Sequence, residues 1–202
     1  MRSERSRRHS GRSRDPYQPF ANQEWRNSIQ SRIEIPLLVR ALDLPAGGRM
    51  LEIGCGRGVG LSTVSKLCRP DSLTGVDFDQ ALLRVARHRL TAQDIHADLV
   101  YGDVLALPFP DESFDVVIDF GTCYHVAEPE RAVAEVTRVL VPGGLFVHET
   151  RLSQFLAHPV RSLGNRIPWE QFPALVVERR AGLWARRSKL SAAGPAAPSI
   201  AA

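Results

Sequence analysis

Apolar residues recur along most of the chain at spacings that switch between those of strands and those of helices. Short apolar runs predict five strands, at residues 49–53, 73–77, 99–101, 114–120 and 145–147. The fourth run, FDVVIDF, is of the kind that is buried on both faces of a sheet. Between the runs, apolar residues three or four apart predict helices. This alternation predicts a parallel sheet with helices on both faces.

Two further segments flank the alternating region. Residues 22–43 carry apolar residues at a spacing of four, which predicts a helix that Pro36 is expected to kink or split. Residues 174–190 hold two apolar stretches around Gly182 with no helix between them, which predicts an antiparallel hairpin at the sheet's edge. The whole pattern predicts an α/β fold with a doubly wound, mostly parallel, seven-stranded sheet.

These patterns divide the chain into four parts. Residues 1–16 are rich in arginine and serine and have no hydrophobic residue after Met1, which predicts a disordered arm. Residues 17–43 are expected to form an N-terminal helical lid, residues 44–190 the ligand-binding α/β domain, and residues 191–202 a flexible tail.

The charge of the chain is concentrated at its start. The net charge is +4, and residues 1–15 alone contribute that charge through six arginines against Glu4 and Asp15. The remainder is neutral, so it offers no broad surface for phosphates, and a nucleic-acid partner is not expected. No run approaches the roughly 18 apolar residues of a membrane span, so no membrane partner is expected either. The three scattered cysteines indicate reduced thiols and a cytoplasmic protein.

A glycine-rich turn follows the first predicted strand, with glycines at positions 54, 56 and 58. Glycines at such a turn let a ligand approach the backbone, at the carboxyl ends of the strands. The dinucleotide fingerprint, G-x-G-x-x-G, would require its third glycine where Val59 stands. Asp77 ends the second predicted strand, where an acid is typical of ribose binding.

Five motifs occur in the order of one known family: Glu52-x-Gly-x-Gly-x-Gly58, Gly75-Val-Asp77, Gly102-Asp103, residues 107–115 (LPFPDESFD) and residues 138–144 (RVLVPGG). The chain resembles the class I S-adenosylmethionine (SAM)-dependent methyltransferases over residues 45–150, most of all the ubiquinone/menaquinone methylase branch. The resemblance implies a Rossmann-like methyltransferase fold, with SAM as cofactor and S-adenosylhomocysteine as product.

The resemblance also implies roles for individual residues. The glycine turn and Glu52 would hold the methionine part of SAM, Asp77 the ribose, and the end of the fourth strand the methionine amine. The predicted cofactor-binding residues are Glu52, Gly54, Gly56, Gly58, Asp77, Phe78, Asp103, Val104 and Asp119. Structural alternatives remain for several of them. Glu52 could bond backbone near the turn, Phe78 could belong to the core, and Asp103 could cap a turn.

A hydroxyl or an acidic carbon that accepts a methyl group is helped by a base. His125, after the fourth strand, is the first candidate, and Glu149, at the end of the fifth strand, is the second. A hydrogen-bonded structural histidine is the alternative for His125. The spacing of histidines, cysteines and acids predicts no metal site.

The predicted function is therefore transfer of a methyl group from SAM to oxygen, nitrogen or carbon of a small-molecule acceptor by in-line displacement. Two alternatives stay open. One is an RNA methyltransferase anchored by the arginine-rich arm, and the other is a SAM-binding sensor without turnover.

Overall fold

A computed structural model describes residues 23–149, Ile167, 175–178 and 185–190. Seven strands form one sheet in the order β3-β2-β1-β4-β5-β7-β6, with the first five parallel and the last two antiparallel. The strands are β1 Arg49–Ile53, β2 Ser72–Asp77, β3 Asp98–Tyr101, β4 Phe114–Asp119, β5 Leu140–Glu149, β6 Leu175–Glu178 and β7 Ala185–Leu190. The predicted doubly wound sheet and its antiparallel hairpin are confirmed.

The fifth strand is longer than the sequence predicts. It starts at Leu140, directly after a helix, whereas the apolar run alone indicated residues 145–147. Leu140 pairs with Phe114 and Leu145 pairs with Val116, so the four residues 141–144 of β5 lie opposite the single residue Asp115 of β4, and three of them are extra. The Pro-Gly-Gly segment is therefore a bulge within the strand, where the missing proline N–H and the left-handed Gly143 (φ 80°) are accommodated.

Helices cover both faces of the sheet, as predicted. The three longer ones are α3 Val59–Cys68, α4 Gln80–Thr91 and α5 Pro129–Val139. Alternate strand residues point to opposite faces, so β1 gives Met50 to one core and Leu51 to the other. One core lies under α3 and α4, and the other lies under α5. The two cores fix the strand ends from both sides and thereby the loops that follow them.

The N-terminal helical segment is split, as Pro36 suggested. Helix α1 (Gln23–Ile29) leads into a π-helical turn (Gln30–Glu34) and then into α2 (Ile35–Ala41), which begins at the residue before the proline. Ile35, Leu38 and Leu42 are buried in the core that α3 also lines. Within the described residues, no helix is long and apolar enough to cross a membrane. The predicted arm (1–16), the first residues of the predicted lid (17–22) and the predicted tail (191–202) lie outside the described residues.

Candidate active site at the carboxyl ends of the strands

The glycine turn between β1 and α3 adopts a conformation that requires glycine. Gly54, Gly56 and Gly58 have φ values of 60°, 50° and 72°, in the left-handed region that side chains disfavour. The turn is fixed by backbone bonds: the Cys55 N–H donates to Val76 O at 3.0 Å, and the Gly58 N–H donates to Cys55 O at 2.9 Å. The sequence GCGRG thus closes a tight turn at the end of the central strand.

Two of these glycines differ in what surrounds them. A Cβ at Gly54 would overlap the hydroxyl of Thr122, which donates a hydrogen bond to Ile53 O at 3.2 Å. A Cβ at Gly56 would meet nothing closer than the Gly54 carbonyl at 3.9 Å, so this glycine borders open space. Gly54 is therefore required by protein packing, whereas Gly56 leaves room for a ligand against the backbone.

Glu52 is buried beneath the turn, at the amino end of α3. Its side chain fills the space where a Cβ of Gly60 would lie, and it accepts a hydrogen bond from the Leu61 N–H. Oε2 of the same carboxyl is buried without a hydrogen-bond partner. Burial, reinforced by the nearby charges of Asp77 and Asp119, raises the pKa of Glu52 well above its usual value.

Asp77 ends β2 beside the glycine turn. Its side chain bonds the turn directly and so connects the Gly75-Val-Asp77 motif with the Glu52–Gly58 motif. Its Oδ2 accepts a hydrogen bond from the Gly56 N–H, and its Oδ1 accepts one from the Asp79 N–H, both at 2.8 Å. Burial raises the pKa of Asp77, and these two amides, together with the backbone N–H of Phe78, partly offset the increase. A carboxylate has about four acceptor positions, so three backbone donors still leave capacity for a ligand.

Asp119 ends β4 and is fully buried, but its carboxylate is occupied by its own loop. Oδ1 accepts hydrogen bonds from the N–H groups of Gly121 and Thr122, and Oδ2 accepts one from the Cys123 N–H. The Cys123 thiol also donates to this carboxyl. Burial raises the pKa of Asp119, and these donors oppose the shift. Asp119 thus shapes the 3₁₀ turn Thr122–Tyr124 that covers Gly54.

The remaining predicted cofactor residues follow the ends of β2 and β3. Phe78 follows Asp77 and is 74% exposed, so it is not a core residue. Asp103 is exposed, and its Oδ1 accepts a hydrogen bond from the Leu105 N–H, which is the turn cap foreseen as its alternative. Val104 is buried in the core beneath it.

The two predicted base candidates lie at the ends of adjacent strands. His125 is half-buried and ends the 3₁₀ turn, where its N–H donates to Thr122 O at 2.9 Å. Glu149 is buried at the end of β5. Because residues alternate along β5, Glu149 points to the same sheet face as Val147, in the core under α3, and His148 points to the other face with Phe146.

Sequence reasoning missed the residues that hold these loops in place. Thr122 fills the space over Gly54, and the Arg89 side chain donates from Nε to the carbonyl of Arg57 in the glycine turn at 3.0 Å. Neither belongs to a motif with a recognisable spacing. Within the described part of the chain, no three histidine, cysteine or acidic residues gather in a way that could hold a metal ion.

The site therefore combines an open glycine turn with carboxylates on three neighbouring strand ends, at Glu52, Asp77 and Asp119. In a dinucleotide site, the amides at the start of the helix bind a pyrophosphate anion. Here Glu52 already accepts one of those amides, and a carboxyl group offers an anionic ligand no opposite charge. A ligand with positive charge and ribose hydroxyls fits better, and SAM has both. The buried, unpaired Oε2 of Glu52 and the open space at Gly56 are the features that fit it.

Comparison with known proteins agrees with this chemistry. Residues 51–148 match a family model described as a methyltransferase domain. Over 102 residues, half of the chain, the sequence is 43% identical to a phthiotriol/phenolphthiotriol dimycocerosates methyltransferase of Mycobacterium tuberculosis, covering 36% of that protein. It is 36% identical over 102 residues to a fatty-acid O-methyltransferase of Mycolicibacterium smegmatis, with the same coverage of 50% and 36%. The chain thus spans about a third of the length of these relatives.

A solved structure extends the likeness beyond the matched motifs. A putative S-adenosyl-L-methionine-dependent methyltransferase from Methanococcus maripaludis superposes with a TM-score of 0.64, at 16% identity, over 83% of this chain and 90% of that one. At this identity the likeness concerns the fold alone.

Proposed function

We propose that the chain, whose residues 51–148 match the methyltransferase-domain model, is a class I SAM-dependent methyltransferase that transfers a methyl group from SAM to an apolar small molecule of the lipid class. The narrower resemblance to the ubiquinone/menaquinone branch is not confirmed. The observation that carries the proposal is the placement of Glu52, whose buried carboxyl bonds the amino end of α3 and leaves Oε2 unpaired. That placement favours a cationic cofactor over a dinucleotide.

In this proposal, the residues at each strand end contact a different part of SAM or position the acceptor. Glu52 and the backbone at Gly56 hold the methionine end of SAM, and Asp77 accepts hydrogen bonds from the ribose. Phe78 packs on the adenine, with Asp103 and Val104 beside it. Asp119 acts by positioning the 121–125 loop, which carries Thr122 over the glycine turn and His125 toward the acceptor.

When bound, SAM supplies an electrophilic methyl group, which carries the difficult part of the chemistry. The protein's own contribution is to align the acceptor with that group and to exclude water. His125 would take the proton of a hydroxyl acceptor, and Glu149 is the second candidate. A carboxylate acceptor is already ionised at neutral pH and needs no base, so the importance of His125 depends on the acceptor.

The acceptor class is drawn from the relatives, whose names include a fatty acid and phthiotriol lipids. Calorimetry comes first: the purified chain should bind SAM or S-adenosylhomocysteine and should show no comparable binding of NAD. Binding of NAD without SAM would contradict the proposal. Release of S-adenosylhomocysteine is then measured with long-chain fatty acids, phenolic lipids, long-chain alcohols, quinols and amines, and product analysis identifies the methylated atom.

A pair of histidine variants tests the proposed base. With a hydroxyl acceptor, His125→Ala should lower turnover by about 10²–10⁴-fold while SAM affinity stays within a few-fold. With a fatty acid, the same variant should turn over almost normally. His88→Ala, at an exposed position on α4, is the control and should be silent with both acceptors. An equal loss of rate with both acceptors would assign His125 a structural role instead.

A further inference from the structure

Two of the five sequence motifs have no part in the site described above, namely residues 107–115 and residues 138–144. The structure joins these two motifs to each other. Arg138 begins the second motif in the last turn of α5. Its guanidinium donates hydrogen bonds to the carbonyls of Leu107 at 2.9 Å and of Phe109 at 2.8 Å, both in the first motif. Each motif is thus the binding partner of the other.

Glu135, one turn earlier on α5, completes the contact. Nε and Nη2 of Arg138 donate to Oε1 and Oε2 of Glu135 at 2.9 and 2.7 Å, in the parallel two-bond geometry of strong and well-oriented pairs. Oε2 of Glu135 also accepts a hydrogen bond from the Leu107 N–H at 2.8 Å. Leu107 is buried outside any helix or strand, where its backbone groups need partners. The Arg138–Glu135 pair bonds both of them.

Leu107 directly follows the turn that carries Asp103. Asp103 and Ala106 pair with each other, and the Ala106 N–H donates to the Asp103 carbonyl at 3.0 Å. Just before the turn, the Gly102 N–H donates to the carbonyl of Asp77 at 3.1 Å. The turn is therefore attached to β2 at its start and to α5 at its end. The α5 attachment consists of the side chains of Arg138 and Glu135.

We propose that Arg138 and Glu135 are positioning residues for the adenine end of the cofactor. They hold residues 103–107 so that the Asp103 carboxylate accepts a hydrogen bond from the 6-amino group of adenine. This inference rests on the proposed function, in which Asp103 lies beside the adenine. Asp103 is exposed and its Oδ1 bonds the Leu105 N–H, so the direction of its carboxylate follows the backbone of the turn. A change in the α5 attachment therefore changes how the amino group is met.

The test is calorimetry of the full chain with S-adenosylhomocysteine and with its 6-deamino analogue, in which purine replaces adenine. The ratio of the two dissociation constants measures recognition of the amino group, and it does not depend on the fraction of protein that is folded. The wild type should bind the analogue about ten- to a hundredfold more weakly, the usual effect of a hydrogen bond to a charged group. Arg138→Gln and Glu135→Ala should each reduce this ratio to about threefold or less.

A third variant keeps the test decisive if these two do not fold. Arg138→Lys retains the positive charge, but an ammonium lacks the planar fork that bonds Glu135 and both carbonyls together. This variant should also lower the ratio. Asp103→Ala should abolish the discrimination. Combining Asp103→Ala with Arg138→Gln should weaken S-adenosylhomocysteine binding no further than Asp103→Ala alone, within about twofold, because both changes remove the same hydrogen bond.

Arg49→Gln is the matched control for loss of stability. It removes another two-bond ion pair, with Asp115, at the amino end of β1. That variant should keep the wild-type ratio. A wild-type ratio in folded Arg138 and Glu135 variants, or additive losses in the double variant, would overturn the proposal and assign the pair to stability alone. Equal binding of both ligands by the wild type would overturn this inference only, whereas binding of neither would overturn the proposed function with it.

Discussion

The ends of β2 and β4 carry the same residue type at the same edge of the sheet, and the structure uses them in opposite ways. Asp77 and Asp119 are both buried acids that end a strand. Asp77 accepts hydrogen bonds from the backbone N–H groups of Asp79, of Phe78 and of Gly56, which lies in the glycine turn of another motif. Asp119 accepts three backbone amides and a thiol from the four residues that follow it.

This difference shows that burial and a raised pKa do not by themselves identify a ligand contact. Burial raises the pKa of both carboxyls. The two carboxylates differ in the number of acceptor positions that no protein donor occupies, and that number is larger at Asp77. We therefore expect substitutions at Asp119 to act on stability and substitutions at Asp77 to act on cofactor binding.

The largest effect should come from Asp119→Ala. Three backbone amides of a buried turn would lose their acceptor, which should cost about 3 kcal/mol or more of the free energy of unfolding. Asp119→Asn keeps one acceptor oxygen and should lose less. Urea unfolding measures both losses, and calorimetry at low temperature measures the SAM affinity of the folded fraction. A stable Asp119→Ala variant with weak SAM binding would break the distinction between the two strand ends.

Asp77→Ala should give the reverse pattern. Loss of charge-assisted hydrogen bonds to ribose should weaken SAM binding by about 2–4 kcal/mol, and the chain should stay folded although the backbone donors of Asp77 lose their acceptor. Asp79→Ala is the matched control, because Asp79 caps α4 through the Ala81 and Leu82 N–H groups. That variant should lose about 1 kcal/mol of stability and keep its SAM affinity. Unchanged affinity in a folded Asp77→Ala variant would falsify the ribose role.

Glu52 extends the comparison to pH, because its raised pKa makes the stability of the protein depend on pH. Because its pKa is raised in the folded state, the protonated form is favoured by folding. That stabilisation is complete below the usual carboxyl value of 4.5 and is lost as pH rises toward the raised value. Asp77 and Asp119, with pKa values also raised, add slopes of the same sign. The apo protein should therefore lose stability as pH rises, by at most about 1.4 kcal/mol per pH unit for each group.

Glu52→Gln isolates this contribution. The variant should show a flatter dependence of unfolding free energy on pH than the wild type. It should also bind the SAM cation more weakly, since it cannot ionise. In the same pH range, calorimetry in buffers of different ionisation enthalpy should detect protons released when the wild type binds SAM, and fewer from the variant. An unchanged slope would mean that Glu52 does not titrate in this range.

The sequence predicts well those parts of the molecule that depend on local pattern. The strand runs, the helical spacings and the three glycines set their own conformations, and strands β1 to β4 lie within one residue of where the pattern places them. The extent of β5 was harder to predict, because proline and two glycines ordinarily end a strand. Here β4 pairs on both sides of them and makes them a bulge. Tertiary pairing overrides the local signal at this point.

The candidate site is predictable only in part, for a related reason. The motifs place acids at the correct strand ends, but they do not show which donors each carboxylate meets. The capping of Asp119 by Cys123 and the packing of Thr122 on Gly54 depend on how one loop folds over another. A pattern also does not distinguish a core aromatic from an exposed one after a strand, and only the structure shows that Phe78 is exposed.

Phe78→Ala should have the smallest effect, and it tests how far the ligand extends beyond Asp77. Phe78 is 74% exposed, so removal of its ring should change the free energy of unfolding by less than about 0.5 kcal/mol. If the ring packs on adenine, SAM binding should weaken by about 0.5–1.5 kcal/mol, the usual contribution of an aromatic pair. Leu67→Ala, at an exposed position on α3 (45%), is the control and should leave SAM affinity unchanged. Equal affinities for the wild type and Phe78→Ala would restrict the cofactor contacts at the end of β2 to Asp77 and direct the search for the adenine pocket toward Asp103.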